Sequence, residues 1–112
     1  MGEPPSGTVT FLFTDIEGST QLWERYPAAM RAAQARHEAL LRAAIEEHGG
    51  YIFKTVGDVF CAAFATAAQG LNAILTAQRA LAAELWGETG PIKVRAALRT
   101  SSWIARSRSS SS

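Results

Sequence analysis

Asp15 and Asp58 are the only aspartates in the chain, and each follows a pattern that could place its carboxylate for chemistry. Asp15 ends a β-branched and aromatic stretch that is typical of a strand, and Asp58 belongs to a Gly-Asp dipeptide that is typical of a turn. If that strand lies beside the turn, the two carboxylates meet at one edge of a sheet. Such a pair suits Mg²⁺, which takes one or two carboxylates and adds water and phosphate oxygens, and a second ion nearby would allow in-line displacement at phosphorus.

Spacing alone leaves a structural alternative open for both residues. Asp15 can cap the helix that follows it, and Asp58 can serve only the turn in which it lies. Both interpretations depend on the elements that carry the two aspartates.

Those elements follow from the spacing of apolar residues. Pro27 either belongs to the first turns of a long helix or interrupts it, and the pair Gly57-Asp58 joins two strands into a β-hairpin. Thr66 and Gln69 have the spacing of a capping box at the start of a second helix. The predicted elements are a strand at 8–14, a helix at 19–48, strands at 51–56 and 59–64, a helix at about 66–85 and a strand at 92–98.

The order of these elements is β-α-β-β-α-β, which predicts an α+β fold of the ferredoxin-like type. In that arrangement an antiparallel sheet carries its helices on one face. Residues 1–7 are rich in proline and glycine and predict a leader, and residues 8–100 predict the folded domain. Residues 101–112 have a serine and arginine composition without periodicity, which indicates a low-complexity tail or the product of a shifted reading frame.

Composition limits the classes of partner and compartment. The chain has 112 residues, enough for one domain, and its net charge of +1 argues against binding a nucleic-acid backbone. The single cysteine, Cys61, cannot form an internal disulfide, and no secretory signal or apolar run of membrane-spanning length is present. We therefore expect a cytoplasmic protein with no nucleic-acid partner and no membrane segment.

Two strings of residues carry a resemblance to a known family. Phe11-Leu12-Phe13-Thr14-Asp15-Ile16-Glu17-Gly18-Ser19-Thr20 and, about forty residues later, Phe53-Lys54-Thr55-Val56-Gly57-Asp58 resemble the class III adenylate and guanylate cyclase catalytic domain, in particular its bacterial members. Both strings occur in the family's order with a predicted helix between them. The resemblance covers residues 7–100, which correspond to about the first half of the family's domain. It implies a nucleotide cyclase fold that is incomplete at its carboxyl end.

The resemblance implies a catalytic site that binds two Mg²⁺ or Mn²⁺ ions. Asp15 and Asp58 would be the catalytic carboxylates that hold both ions, with the backbone carbonyl of Ile16 as a further ligand. One ion would activate the ribose 3′-hydroxyl of the substrate and the other would bind its triphosphate. The resemblance also implies that backbone amides cradle the phosphates; these are the amides of Ile16, Glu17, Gly18 and Ser19.

Lys54 matches the position at which adenylate cyclases of this family carry a lysine that reads the purine and guanylate cyclases typically carry a glutamate. A lysine can donate a hydrogen bond to the adenine N1 acceptor, whereas guanine N1 is a donor and prefers a carboxylate. The resemblance therefore favours ATP as the substrate. The alternative is that Lys54 is an ordinary strand lysine whose ammonium group lies in solvent.

The activity implied is conversion of ATP to cyclic AMP and pyrophosphate in signal transduction. The family builds each site between two head-to-tail protomers, and one protomer contributes an asparagine and an arginine that have no counterpart in this chain. We expect a homodimer of this chain to be inactive and a full-length cyclase partner to complete one site. The alternatives are a non-catalytic nucleotide-binding or dimerisation half-domain and a non-functional fragment.

Other reactive side chains have structural interpretations. His37 and His48 lack the spacing of a zinc site and are expected at the surface or as capping residues. Cys61 lies in an apolar strand and is expected in the core rather than as a nucleophile. Arg95 and Arg99 alternate with apolar residues and are expected on the solvent side of the last strand.

Overall fold

In residues 7–103, the part of the chain that the computed structural model describes, a four-stranded antiparallel sheet carries two long α-helices on one face, and a short α-helix packs against the first of them. The leader before Gly7 and the tail beyond Trp103 lie outside the described residues. The elements in chain order are β1 (Gly7–Ile16), α1 (Ser19–Arg25), α2 (Pro27–Glu47), β2 (Tyr51–Val56), β3 (Val59–Phe64), α3 (Ala67–Ala83), a 3₁₀ turn (Gly87–Thr89) and β4 (Val94–Trp103).

The sheet has the strand order β2-β3-β1-β4, and every neighbouring pair is antiparallel. This order and the β-α-β-β-α-β sequence of elements confirm the predicted ferredoxin-like α+β fold. β1 is an inner strand, with Thr14 opposite Phe60 of β3 and Asp15 opposite Arg95 of β4. β4 runs to Trp103, which pairs with Gly7, so the strand extends three residues past the predicted domain boundary at residue 100.

Alternation along β1 separates the two faces of the sheet. Leu12 and Thr14 are buried under the helices, whereas Phe11 and Phe13 lie on the opposite face, here called the open face. The helices pack closely on their side of the sheet, since a Cβ added at Gly70 of α3 would lie 3.0 Å from the side chain of Leu98. Buried apolar side chains between the helices and the sheet form the main core; they include Leu12, Leu41, Ile45, Phe60, Phe64, Ala73 and Leu81.

The segment predicted as one helix at 19–48 is two helices. Tyr26 separates them with backbone angles φ −133° and ψ 61°, and Pro27 is the first residue of α2. The proline ring keeps the preceding residue, Tyr26, out of helical geometry, and this ends α1. Proline also lacks an amide hydrogen, but the first position of a helix does not need one, so Pro27 can begin α2. The capping box at α3 is confirmed, because Gln69 N donates to Thr66 Oγ1 at 3.1 Å and Thr66 N donates to Gln69 Oε1 at 3.2 Å.

The predicted hairpin between β2 and β3 is present and contains an irregularity. Gly57 takes a φ of 58° at the turn, a conformation that glycine adopts without steric cost. The register shifts between Ile52, which lies opposite Ala62, and Lys54, which lies opposite Cys61, so Phe53 is an extra residue in a β-bulge. Strict alternation would put Lys54 on the same face as Ile52, toward the helices. The bulge instead brings Lys54 to the open face.

Candidate active site

Asp15 lies near the end of β1 on the open face, and an arginine on the adjacent strand binds it. Arg95 Nε donates to Asp15 Oδ1 at 3.0 Å and Arg95 Nη2 donates to Asp15 Oδ2 at 2.9 Å. The two residues lie directly opposite each other in the β1–β4 register, which places the planar guanidinium against both carboxylate oxygens. Both carboxylate oxygens of Asp15 are therefore engaged.

Asp58 lies at the tip of the β2–β3 hairpin and is half-buried. Its Oδ2 accepts a hydrogen bond from the backbone amide of Ile16 at 2.6 Å. This bond links the hairpin tip to the end of β1 across 42 residues of sequence. The carboxylate of Asp58 is therefore held next to the peptide bond that follows Asp15.

The donor atoms at this place are those that a hard divalent cation prefers. Two carboxylates and the main-chain carbonyl of Ile16 supply oxygen ligands only, and Mg²⁺ needs no more than one or two protein carboxylates when phosphate and water complete its shell. Within residues 7–103, His, Cys, Asp and Glu form no group of three or more that could hold a metal. The site thus fits Mg²⁺ or Mn²⁺, with water or phosphate oxygens completing the shell of the ion, and it does not fit a closed structural zinc site.

The loop between β1 and α1 holds the residues predicted to cradle phosphates. Two of the four amides already donate hydrogen bonds: Ile16 N to Asp58, and Glu17 N to the carbonyl of Lys93 at 2.8 Å. Gly18 turns the chain into α1 with a φ of 68°. The other two amides of the predicted set, those of Gly18 and Ser19, take no part in these two hydrogen bonds.

Lys54 shares the open face with Asp15. Lys54 and Phe13 both lie opposite Cys61, on its two sides, and Asp15 is two residues further along β1. With ordinary strand spacing, the backbone positions of Lys54 and Asp15 are roughly 12 Å apart. One nucleotide can bridge this distance, with its base near Lys54 and its phosphates near Asp15.

Two cavities adjoin the aspartates. A cavity of about 280 Å³ on the open face is lined by Asp15, Arg95 and Phe13 among others. A second cavity, of about 480 Å³, is lined by Asp58, Ser19 and further residues of the hairpin tip, α1 and α2. Each aspartate therefore lines a cavity with space for a ligand.

Cys61, Arg95 and the histidines complete the comparison with the sequence predictions. The prediction of a core position was wrong for Cys61, which is half-buried on the open face because it lies opposite Phe13 in the β1–β3 register. Arg95 is exposed as predicted, although its ion pair with Asp15 was not predicted. His48 caps the end of α2, as predicted, and its Nε2 lies 2.8 Å from Thr76 Oγ1. The prediction of a surface or capping position was wrong for His37, which has 0% of its surface exposed.

His37 is buried because it lies on the inward face of α2, where residues three or four positions apart point to the core. Its ring packs edge-on against Phe60, with ring centroids 5.9 Å apart. Within the described residues neither ring nitrogen has a hydrogen-bond partner of normal geometry. Burial lowers the pKa of His37 below its ordinary value of 6.5, and the charges of Asp58 and Glu38 offset part of this shift.

His37 should make the stability of the fold depend on pH. Because its pKa is lowered in the folded state, the unfolded chain binds a proton below pH 6.5 that the folded chain does not. The free energy of unfolding should fall with decreasing pH, with a contribution of up to about 1.4 kcal/mol per pH unit. His37→Leu, which removes two unsatisfied polar atoms, should be as stable as the wild type at pH 8 and should lack this contribution. Chemical denaturation of both proteins between pH 8 and pH 5 measures the difference, and parallel curves would contradict the assignment.

The chain matches known proteins over most of its length. Residues 1–99 match the model of the adenylate and guanylate cyclase catalytic domain. An adenylate cyclase of Lachancea kluyveri is 45% identical over 85 residues, which are 76% of this chain and 5% of that protein. The chain therefore spans a small part of the curated relatives that it matches first.

Solved structures give the same result for the fold. Adenylate cyclases from Trypanosoma brucei in their monomeric state superpose with a TM-score of 0.80 at 26% identity, over 88% of this chain and 58% of that chain. A bacterial light-regulated adenylyl cyclase has the same fold, with a TM-score of 0.74 over 96% of this chain and 60% of that chain. None of the helices in residues 7–103 is long and apolar enough to cross a membrane. The family model and the relatives together show that this chain belongs to the adenylate and guanylate cyclase catalytic domain family.

Proposed function

We propose that this chain is the metal-binding part of an adenylate cyclase catalytic domain, which converts ATP to cyclic AMP and pyrophosphate in cytoplasmic signal transduction. The observation that carries the proposal is the hydrogen bond from Ile16 N to Asp58 Oδ2, at 2.6 Å. It brings Asp58 beside Asp15 in a family whose matched relatives include proteins named adenylate cyclase. Asp15 and Asp58 serve the metals in this account rather than only a cap and a turn.

Asp15, Asp58 and the Ile16 carbonyl would hold two Mg²⁺ or Mn²⁺ ions. When bound, the ions supply activation of the ribose 3′-hydroxyl and stabilisation of the departing pyrophosphate. The oxygen of that hydroxyl would give its proton to water and form a bond to the α-phosphorus, while the bond from this phosphorus to the bridging oxygen of the β-phosphate breaks and pyrophosphate leaves.

The chain's own backbone orients these groups before substrate binds. The Ile16 amide donates to Oδ2 of Asp58, and among residues 7–103 no donor binds the other oxygen, Oδ1, which is the one we assign to a ligand. Of the four amides, those of Gly18 and Ser19 are the donors that we assign to the phosphates, because the Ile16 and Glu17 amides already donate to Asp58 and to the Lys93 carbonyl. A fixed arrangement of this kind reduces the reorganisation needed when substrate arrives.

A partner subunit would complete the site. The chain covers 58% of the trypanosomal cyclase structure. We propose a head-to-tail dimer in which a full-length cyclase chain supplies the remaining catalytic residues, while two copies of this chain alone are inactive. The open face supports such an assembly, because Phe13 and Phe53 are each 37% exposed there.

The proposal is tested in a hybrid assembly. The chain is mixed with an intact cyclase catalytic domain of the same family in which both metal-binding aspartates have been replaced by asparagine. Cyclic AMP can then form only at the site to which this chain contributes Asp15 and Asp58. Metal-dependent ATP binding without product in this mixture would instead assign the chain to the non-catalytic nucleotide-binding class.

Lys54→Glu should weaken the preference of the hybrid for ATP over GTP. Lys54 lies on the open face, where an ammonium group can donate to adenine N1 and a carboxylate would accept from guanine N1. Since a hydrogen bond to a charged group contributes about 1.5–3 kcal/mol, the ratio of kcat/KM values for ATP and GTP should fall by about tenfold to a hundredfold. Arg79→Glu, an equal change of charge on the exposed side of α3, is the matched control. An unchanged ratio in Lys54→Glu would leave Lys54 as an ordinary strand lysine.

A further inference from the structure

The ion pair between Asp15 and Arg95 occupies a residue that the proposed function assigns to metal binding. The guanidinium takes both carboxylate oxygens, at 3.0 Å and 2.9 Å. Asp58 differs, since its hydrogen bond comes from a neutral backbone amide and its charge acts on Arg95 without direct contact. Of the two carboxylates, Asp15 is therefore the one that the Arg95 guanidinium pairs with directly.

The pairing is built into the sheet. Asp15 and Arg95 are direct partners in the β1–β4 register, where opposite charges on facing positions attract each other. The other arginine on the same face of β4, Arg99, lies opposite Phe11, and within the described residues no ion pair involves it. Register therefore selects Arg95 rather than Arg99 as the partner of Asp15.

The guanidinium and a divalent cation need the same oxygens. An arginine side chain keeps its charge throughout the physiological pH range, and the Asp15 carboxylate raises the pKa of Arg95 further, so deprotonation cannot release the pair. The pair is open to solvent, with 64% of the Arg95 side chain and 38% of the Asp15 side chain exposed. Exposed pairs are weak, so a cation with two charges can displace the guanidinium.

We propose that Arg95 is the resident counter-cation of Asp15 and masks this part of the metal site until a divalent ion displaces it. The inference rests on the proposed function, because it takes Asp15 as a metal ligand. Arg95 acts through Asp15, so it is a positioning residue rather than a catalytic one. The cavity of about 280 Å³ that both residues line gives the displaced side chain space on the open face.

Binding of Mn²⁺ to the full chain, measured by the electron paramagnetic resonance signal of free Mn²⁺, tests the proposal without substrate or turnover. Arg95→Ala should bind Mn²⁺ about two- to fivefold more tightly than the wild type, in line with the strength of an exposed ion pair. Arg95→Lys, which keeps the charge and loses the two-pronged geometry, should lie between them. Arg99→Ala is the matched control for loss of a positive charge from the same strand, and its affinity should stay near that of the wild type.

A double variant separates direct competition for Asp15 from general charge repulsion between Arg95 and the ion. In a protein that already carries Asp15→Asn, Arg95→Ala should no longer change the affinity for Mn²⁺. If Arg95 acted only by repelling the ion, its removal would still tighten binding in that protein. In the wild type, Mg²⁺ should also move the Nε–H resonance of Arg95 in nuclear magnetic resonance spectra toward that of Arg99.

Equal or weaker Mn²⁺ binding by Arg95→Ala, beside a wild type that binds, would overturn the masking role alone. Failure of every variant to bind Mn²⁺ would overturn the proposed metal site as well.

Discussion

Asp58→Asn should lower metal-dependent formation of cyclic AMP in the hybrid assembly by about a thousandfold, since metal ions supply several kcal/mol of transition-state stabilisation. The asparagine carboxamide keeps an oxygen that can accept from the Ile16 amide, so the tether between hairpin tip and β1 is retained. The substitution removes only the negative charge. Loss of activity would then report on the metals rather than on the fold.

Glu46→Gln provides the matched control for Asp58→Asn. Glu46 is an exposed acid near the end of α2, and its substitution removes the same charge. We expect its activity to equal that of the wild type, and both variants should keep the wild-type melting temperature. Activity within tenfold of the wild type in Asp58→Asn would contradict the role of Asp58 as a metal ligand.

Phe60→Ala should lower the free energy of unfolding by about 3–5 kcal/mol, the usual cost of removing a fully buried aromatic side chain. Phe60 is 1% exposed, lies two residues after Asp58 and packs against His37 on the inner side of β3. Small domains have only about 5–15 kcal/mol of total stability, so the loss is a large share of it. The hairpin that carries Asp58 depends on this contact in our account.

Phe53→Ala is the comparison for Phe60→Ala, because it removes the same side chain from the opposite face of the hairpin. Phe53 is 37% exposed and meets Phe11 at a ring-centroid distance of 5.8 Å. Its substitution should cost less than Phe60→Ala, and urea denaturation measures both. Equal losses of stability would show that the two faces of the hairpin are buried alike, contrary to the structure.

Local signals in the sequence predicted much of the fold. The capping pair Thr66 and Gln69 and the turn Gly57-Asp58 act over a few residues, and both occur as predicted. The fold also follows from the order of elements, because few topologies accommodate β-α-β-β-α-β. Pro27 left two readings open, and the structure has the one in which the helix is interrupted.

The features that the sequence did not predict depend on tertiary contacts. The bulge at Phe53, which brings Lys54 to the open face, is a property of strand pairing that composition does not encode. The ion pair between Arg95 and Asp15 joins residues that are 80 positions apart in the sequence, and it forms because the register of β1 and β4 places them opposite each other. Both features depend on which strands pair and in what register, and local sequence patterns do not determine that.

His37 is the exception, because a usable signal was present in the sequence. It lies four residues after Ala33 and four before Leu41, so it continues the inward stripe of α2. Its polar side chain suggested a surface position, but helical spacing placed it in the core. Helical position was the better guide here than residue type.

The most direct test of the account is the formation of labelled cyclic AMP from labelled ATP and Mg²⁺ by the hybrid assembly. We expect product when this chain is mixed with the partner domain that lacks its own metal-binding aspartates, and none from either component alone. The yield should rise with the concentration of this chain until the partner is saturated. A mixture that forms a stable complex and binds ATP, but makes no cyclic AMP at any ratio of the two, would contradict the claim that Asp15 and Asp58 contribute to a cyclase site.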